Sequence, residues 1–117
     1  VCFLGDEFDA KPLSISAQLG CPVEVTAYID DNYNGDSTTF KLEPRSCFVV
    51  PDGWNRKISS AKIKDNKCVT YYTDSNCLKN PLHVCGDIDF YRSAPLYNDN
   101  VYSILPDQQD LLKCLNV

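Results

Sequence analysis

Apolar and polar positions alternate along the chain in short runs, and each run is closed by Gly, Pro, Asn or Asp. This is the pattern of antiparallel strands that bury one face. It predicts strands at Val1–Leu4, Val23–Ile29, Thr38–Leu42, Cys47–Val50, Ser60–Ile63, Cys68–Tyr72, Leu82–Val84, Ile88–Tyr91 and Val101–Leu105. In the clearest of them Val23, Val25, Ala27 and Ile29 alternate with Glu24, Thr26 and Tyr28, so the small apolar side chains should face a core. Only the last stretch, PDQQDLLKCLNV, changes period: Pro106 can open a turn, and Leu111, Leu112 and Leu115 then fall on one helical face. The pattern predicts an all-β fold closed by a short C-terminal helix.

The pattern also repeats. Tyr28, Asp31, Asn32 and Tyr33 align with Tyr72, Ser75, Asn76 and Cys77 at an offset of 44, and Val25 aligns with Val69. Further on, Asn55, Ile58 and Ser60 align with Asn98, Val101 and Ser103 at an offset of 43. Several matches in register argue for a duplicated supersecondary unit. The expected organisation is a single domain over 1–117, with a first repeat at about 23–66, a second at about 67–106, and extensions at 1–22 and 107–117.

Composition narrows the function classes. The 117 residues carry a net charge of −5, with the acids scattered through loops, which disfavours nucleic acid as a partner. The seven cysteines, Cys2, Cys21, Cys47, Cys68, Cys77, Cys85 and Cys114, include no Cys-x-x-Cys pair and span the whole length. Such a spread points to disulfide staples in an oxidising compartment rather than to a metal site, and leaves the connectivity open. An odd count leaves one thiol over: buried, paired outside this chain, or available to bridge two chains into a dimer. The chain has no methionine and begins at Val1, so a secreted protein with its targeting segment removed is expected. No apolar run approaches the roughly 18 residues of a membrane span.

Two local motifs carry most of the information. In YIDDNYNG, residues 28–35, Asp and Asn favour a turn and Gly35 can take positive φ, so a strand runs into a hairpin that folds back and lets Tyr33 cover it. In WNRKISS, residues 54–60, Asn55 and the hydroxyls of Ser59 and Ser60 can bind loop backbone or a cation that takes oxygen ligands. Together they resemble the βγ-crystallin Greek-key family, whose motif pairs an aromatic-x4-aromatic-x-Gly hairpin with a later Asn/Asp-Asn/Asp-x-x-Ser/Thr-Ser loop. The first repeat supplies Tyr28, Tyr33, Gly35, Asn55, Ser59 and Ser60, and the second Tyr72, Asn98, Asp99 and Ser103. The resemblance covers about residues 23–106 and implies two Greek-key motifs packed as a disulfide-stapled β-sandwich.

The family also implies calcium, each ion shared between the two loops. Arg56 stands where the first loop should have Asn or Asp, and a guanidinium repels a cation; Tyr102 stands where the second should have Ser or Thr. What the resemblance leaves is one composite site, Asp99 with Ser59, and so at most one weak calcium. In the second hairpin Cys77 replaces the aromatic and Lys79 the glycine, so that hairpin should be stapled or altered.

Catalysis is disfavoured. His83, the only histidine, lies in a predicted strand, and Asp87 and Asp89, about 7 Å apart on one strand face by strand geometry, read as solvated acids sooner than as a glycosidase pair. Zinc lacks clustered Cys and His, and Trp54, just before the loop, should pack in the core. Tyr71, Tyr97 and Tyr102 are candidates for an interaction surface. The leading expectation, by resemblance to small secreted killer toxins of this fold, is a secreted non-enzymatic toxin or effector acting on a cell-surface or protein target. The alternatives are a calcium-binding structural or stress protein, and a protease inhibitor whose loop would be CLKNPLHVC, residues 77–85, if Cys77 and Cys85 pair.

Overall fold

In the computed structural model of the chain, residues 22–107 are described. Eight strands follow in order: β1 (Val23–Tyr28), β2 (Ser37–Leu42), β3 (Phe48–Val49), β4 (Ser60–Ile63), β5 (Cys68–Tyr72), β6 (Leu82–Cys85), β7 (Ile88–Asp89) and β8 (Ser103–Pro106). A one-turn helix, α1 (Phe90–Ser93), follows β7, and short 3-10 turns lie at Asp31–Tyr33, Lys64–Asn66 and Pro95–Tyr97. The strand and helix expected at Val1–Leu4 and in the C-terminal segment lie outside the described residues, as do Cys2, Cys21 and Cys114.

The strands form two four-stranded antiparallel sheets, ordered β2-β1-β4-β7 and β3-β8-β5-β6. Each repeat gives three strands to its own sheet and sends its third, β3 or β7, to the other. The ladders correspond: Tyr28 lies opposite Ser60, and Tyr72 opposite Ser103. The facing sides of the two sheets make the core. Val23, Val25 and Ala27 of β1 are buried while Glu24, Thr26 and Tyr28 are half-buried, so the alternation in sequence becomes the inside and outside of a sheet. Phe40, Leu42, Ile58, Ile63, Val69, Tyr71, Phe90 and Ile104 are among the other members of the cluster. A fully buried Val, Leu or Ile contributes roughly 1.5–3 kcal/mol, so this layer is the main source of stability.

Two predicted strands are cut to half their length, and Cys47–Val50 is strand only at Phe48–Val49. Ile88–Tyr91 is strand only as far as Asp89, because the N–H groups of Phe90 and Tyr91 both turn to the Ser59 carbonyl and the chain enters α1. Phe90 thereby becomes fully buried, edge-on to the Tyr71 ring at 4.9 Å.

Both hairpins fold back onto their sheets through the same device. The Ser60 hydroxyl accepts the Tyr33 N–H at 2.9 Å and donates to the Asp30 carbonyl at 2.8 Å. The Ser103 hydroxyl accepts the Cys77 N–H at 3.1 Å and donates to the Asp74 carbonyl. Both serines are fully buried, and each pins a hairpin from its own repeat. Tyr33 and Cys77 both adopt positive φ, 60° and 56°, at equivalent points of the two turns.

Candidate functional site

The second hairpin, residues 73–81, combines a fixed backbone with an exposed tip. The Asp74 carboxylate accepts three N–H groups, from Lys79 at 2.8 Å, Leu78 at 2.9 Å and Asn76 at 3.1 Å. Those bonds, the Lys79 N–H first, hold its carboxyl below the usual aspartate range. The turn closes where the Thr73 N–H meets the Lys79 carbonyl, one residue earlier than the matching bond of the first hairpin, from Ile29 N–H to the Asp36 carbonyl. The left-handed backbone that Gly35 supplies in the first hairpin (φ +82°) falls on Asn80 in the second (φ 52°), so Lys79 need not be glycine. The Asn80 side chain donates to the Thr73 hydroxyl at 2.7 Å, and the Asn80 backbone carbonyl accepts the Tyr97 hydroxyl at 2.7 Å.

The staple is covalent. Cys77 is bonded to Cys47, just before β3, and Cys68 to Cys85 across β5 and β6; all four cysteines among the described residues are thus paired. The pairing of Cys77 with Cys85 that the inhibitor alternative required does not occur. Cys85 lies directly opposite Cys68 on the neighbouring strand, whereas Cys77 is turned toward β3. The loop is stapled all the same, by a bond to the other repeat. Next to Cys77 stands Leu78, 74% exposed, an apolar side chain on a backbone that cannot easily yield. Sequence reading singled out the segment but gave no reason to choose Leu78, since exposure of one leucine depends on the turn geometry rather than on any pattern.

The expected calcium pair is assembled: the Ser59 hydroxyl donates to Asp99 Oδ1 at 3.1 Å, and the Asp99 N–H bonds the Ile58 carbonyl at 2.9 Å. Asp99 also borders an open hollow of about 470 Å³ lined by Ile29, Asp36, Gly53, Trp54, Arg56 and Lys57. Ser59, Asp99 and Asp36 fall well short of the 6–8 oxygens calcium takes, and with the cations Arg56 and Lys57 on the same hollow they make a poor fit to that ion. Trp54 is half-buried and meets Phe40 edge-on at 6.4 Å.

The tyrosine surface does not form. Tyr71 is 1% exposed, because it shares the inward face of β5 with Val69; burial, and next the Asp87 carboxylate, pushes its phenol above the usual range. Tyr97 is 9% exposed and belongs to the core cluster, and Tyr102 is half-buried with its N–H on the Tyr72 carbonyl. Asp87 accepts the Ile63 N–H and Asp89 the Asn32 N–H, so these two acids brace backbone. His83 is exposed and 2.7 Å from Asp107.

Two crossed Greek keys, each with its third strand exchanged and each hairpin pinned by a buried serine, define a βγ-crystallin fold. Solved structures agree: a βγ-crystallin from an archaeon (23% identity, TM-score 0.58, 73% of this chain and 98% of that one) and a βγ-crystallin domain from Flavobacterium johnsoniae (24%, 0.58, 73% and 94%). The N-terminal domain of protein S is similar at 19% identity and TM-score 0.55, covering 74% of this chain and 98% of that one. Comparison with curated proteins finds no match. Residues 21–85, more than half of the chain, match the family model of peptidase inhibitor family I36, and the chain belongs to that family. No helix among the described residues is long and apolar enough to cross a membrane.

Proposed function

We propose that this chain is a secreted, non-enzymatic peptidase inhibitor that offers the 73–81 hairpin, with Leu78 at its tip, to the cleft of a target peptidase. The observation that carries the reading is an exposed apolar side chain on a backbone held by the Cys47–Cys77 bond and the Asp74 carboxylate, in a chain of an inhibitor family. A loop already rigid in its bound shape loses little entropy on entering a cleft, which is where much of an inhibitor's affinity originates. The disulfides support an extracellular setting. The toxin or effector expectation draws no support from the comparisons and is not carried into this proposal.

Inhibition assays against metallo-, serine, cysteine and aspartic peptidases test it, using wild type and Leu78→Asp. The expected result is inhibition of one class that weakens by about tenfold or more in the variant, with an unchanged melting temperature. No inhibition in any class overturns the reading. Calcium is at most an accessory here: calorimetry should give no more than one weak site, lost in Asp99→Asn, and two tight sites would contradict the ligand argument.

A further inference from the structure

A second constellation lies on the outer face of the β3-β8-β5-β6 sheet, away from the Leu78 tip. Cys68 and Cys85 face each other across β5 and β6, and His83 precedes Cys85 by two residues and so shares its side of the strand. The ligand atoms of Cys68, His83 and Cys85 all lie within 4.8 Å of one another. His83 and Cys85 are exposed and Cys68 is half-buried, so small reagents can reach them. His83 Nε2 is 2.7 Å from Asp107 Oδ2, and Asp107 is held beside Cys68 by its N–H on the Cys68 carbonyl at 3.2 Å. An imidazole with one nitrogen on a carboxylate presents the other to a metal, the arrangement that orients histidine ligands in zinc proteins. The one obstacle is the disulfide itself, which occupies both sulfurs.

We propose that the Cys68–Cys85 bond masks a soft-cation site, and that reduction opens it to a zinc-class divalent ion. A dithiol supplies two electrons and two protons: the S–S bond breaks, two S–H bonds form, and the dithiol closes to its own disulfide. The cation then displaces both thiol protons to solvent, leaving two thiolates and His83 Nδ1 as ligands, with a fourth position for water. The ligands keep their places because β5 and β6 stay paired through Val69 with Val84 and Thr70 with His83, and β5 also pairs with β8. The disulfide and the metal are thus exclusive occupants of one place. The sequence alone hid this, because Cys68 lies 15 residues before His83 and only the strand pairing joins them.

Cobalt(II) titration of the full chain tests the proposal, with a phosphine as the reductant because it adds no competing thiol. The reduced protein should show the visible bands of tetrahedral cobalt with thiolate charge transfer, and the oxidised protein none. Cys68→Ser/Cys85→Ser, reduced in the same way with every other thiol retained, should lose those bands. Asp107→Asn should weaken cobalt binding by roughly 10–100-fold, as loss of an outer-shell partner does. Equal spectra from the reduced wild type and the double serine variant would overturn the site. So would cobalt binding accompanied by loss of the near-ultraviolet circular dichroism of Trp54, since the ligands are then not held by the sheet.

Discussion

The two hairpins share a backbone plan and differ in what holds it. In the first, Tyr33 lies edge-on to Tyr28 at 6.0 Å, the Lys62 ammonium stands 5.1 Å over the Tyr33 ring, and Gly35 makes room where a Cβ would come within 2.5 Å of Asp30 Oδ2. The hairpin is therefore fixed by side chains that must lie over it. In the second, the position of Tyr33 is taken by Cys77, and the covering ring is replaced by a bond to Cys47 and by the Asp74 carboxylate beneath the turn. A covalent hold leaves the outer surface of the turn free. That difference lets one repeat serve as scaffold while the other displays Leu78.

The largest test of the contrast is to cut the covalent hold. Cys47→Ala/Cys77→Ala removes a link spanning 30 residues and should cost about 3–4 kcal/mol of stability by loop entropy, read from denaturant titration. It should also abolish the proposed inhibition while leaving the first hairpin folded. Next come the paired serines: Ser60→Ala and Ser103→Ala each strand a part-buried N–H, of Tyr33 and Cys77 respectively, and should each cost about 1–3 kcal/mol. Ser103→Ala should be the milder of the two, because the disulfide still restrains Cys77. The smallest effect is expected at Asp74. Its carboxyl titrates lower in the folded chain than in the unfolded one, so its hold on Leu78 and Lys79 is complete above the ordinary aspartate value and fades as pH falls through the depressed one. Amide shifts of Leu78 and Lys79 should move in that acid window, and Asp74→Asn should remove the transition.

Much of the fold was legible because it rests on local rules. The alternation in Val23–Tyr28 placed a strand face, and the recurrence of Tyr28 and Ser60 as Tyr72 and Ser103 marked equivalent points of two sheets. The substitution of Cys77 for an aromatic signalled a staple in the second hairpin, and that staple is present. The exchange partner was not legible, because Cys47 and Cys77 come together only through β3 crossing to the other sheet. The tyrosines were misread for a related reason: a phenol suits either face of a strand, and only the position of Tyr71 between the sheets, against Phe90, decides its burial. Asp99 and Ser59 do meet, 40 residues apart, as the resemblance implied, yet Arg56 and Lys57 border the same hollow.

The reciprocal placement of β3 and β7 makes each repeat a lender and a borrower. Neither can complete a four-stranded sheet from its own sequence, so unravelling one repeat takes an edge strand from the other and the two must melt together.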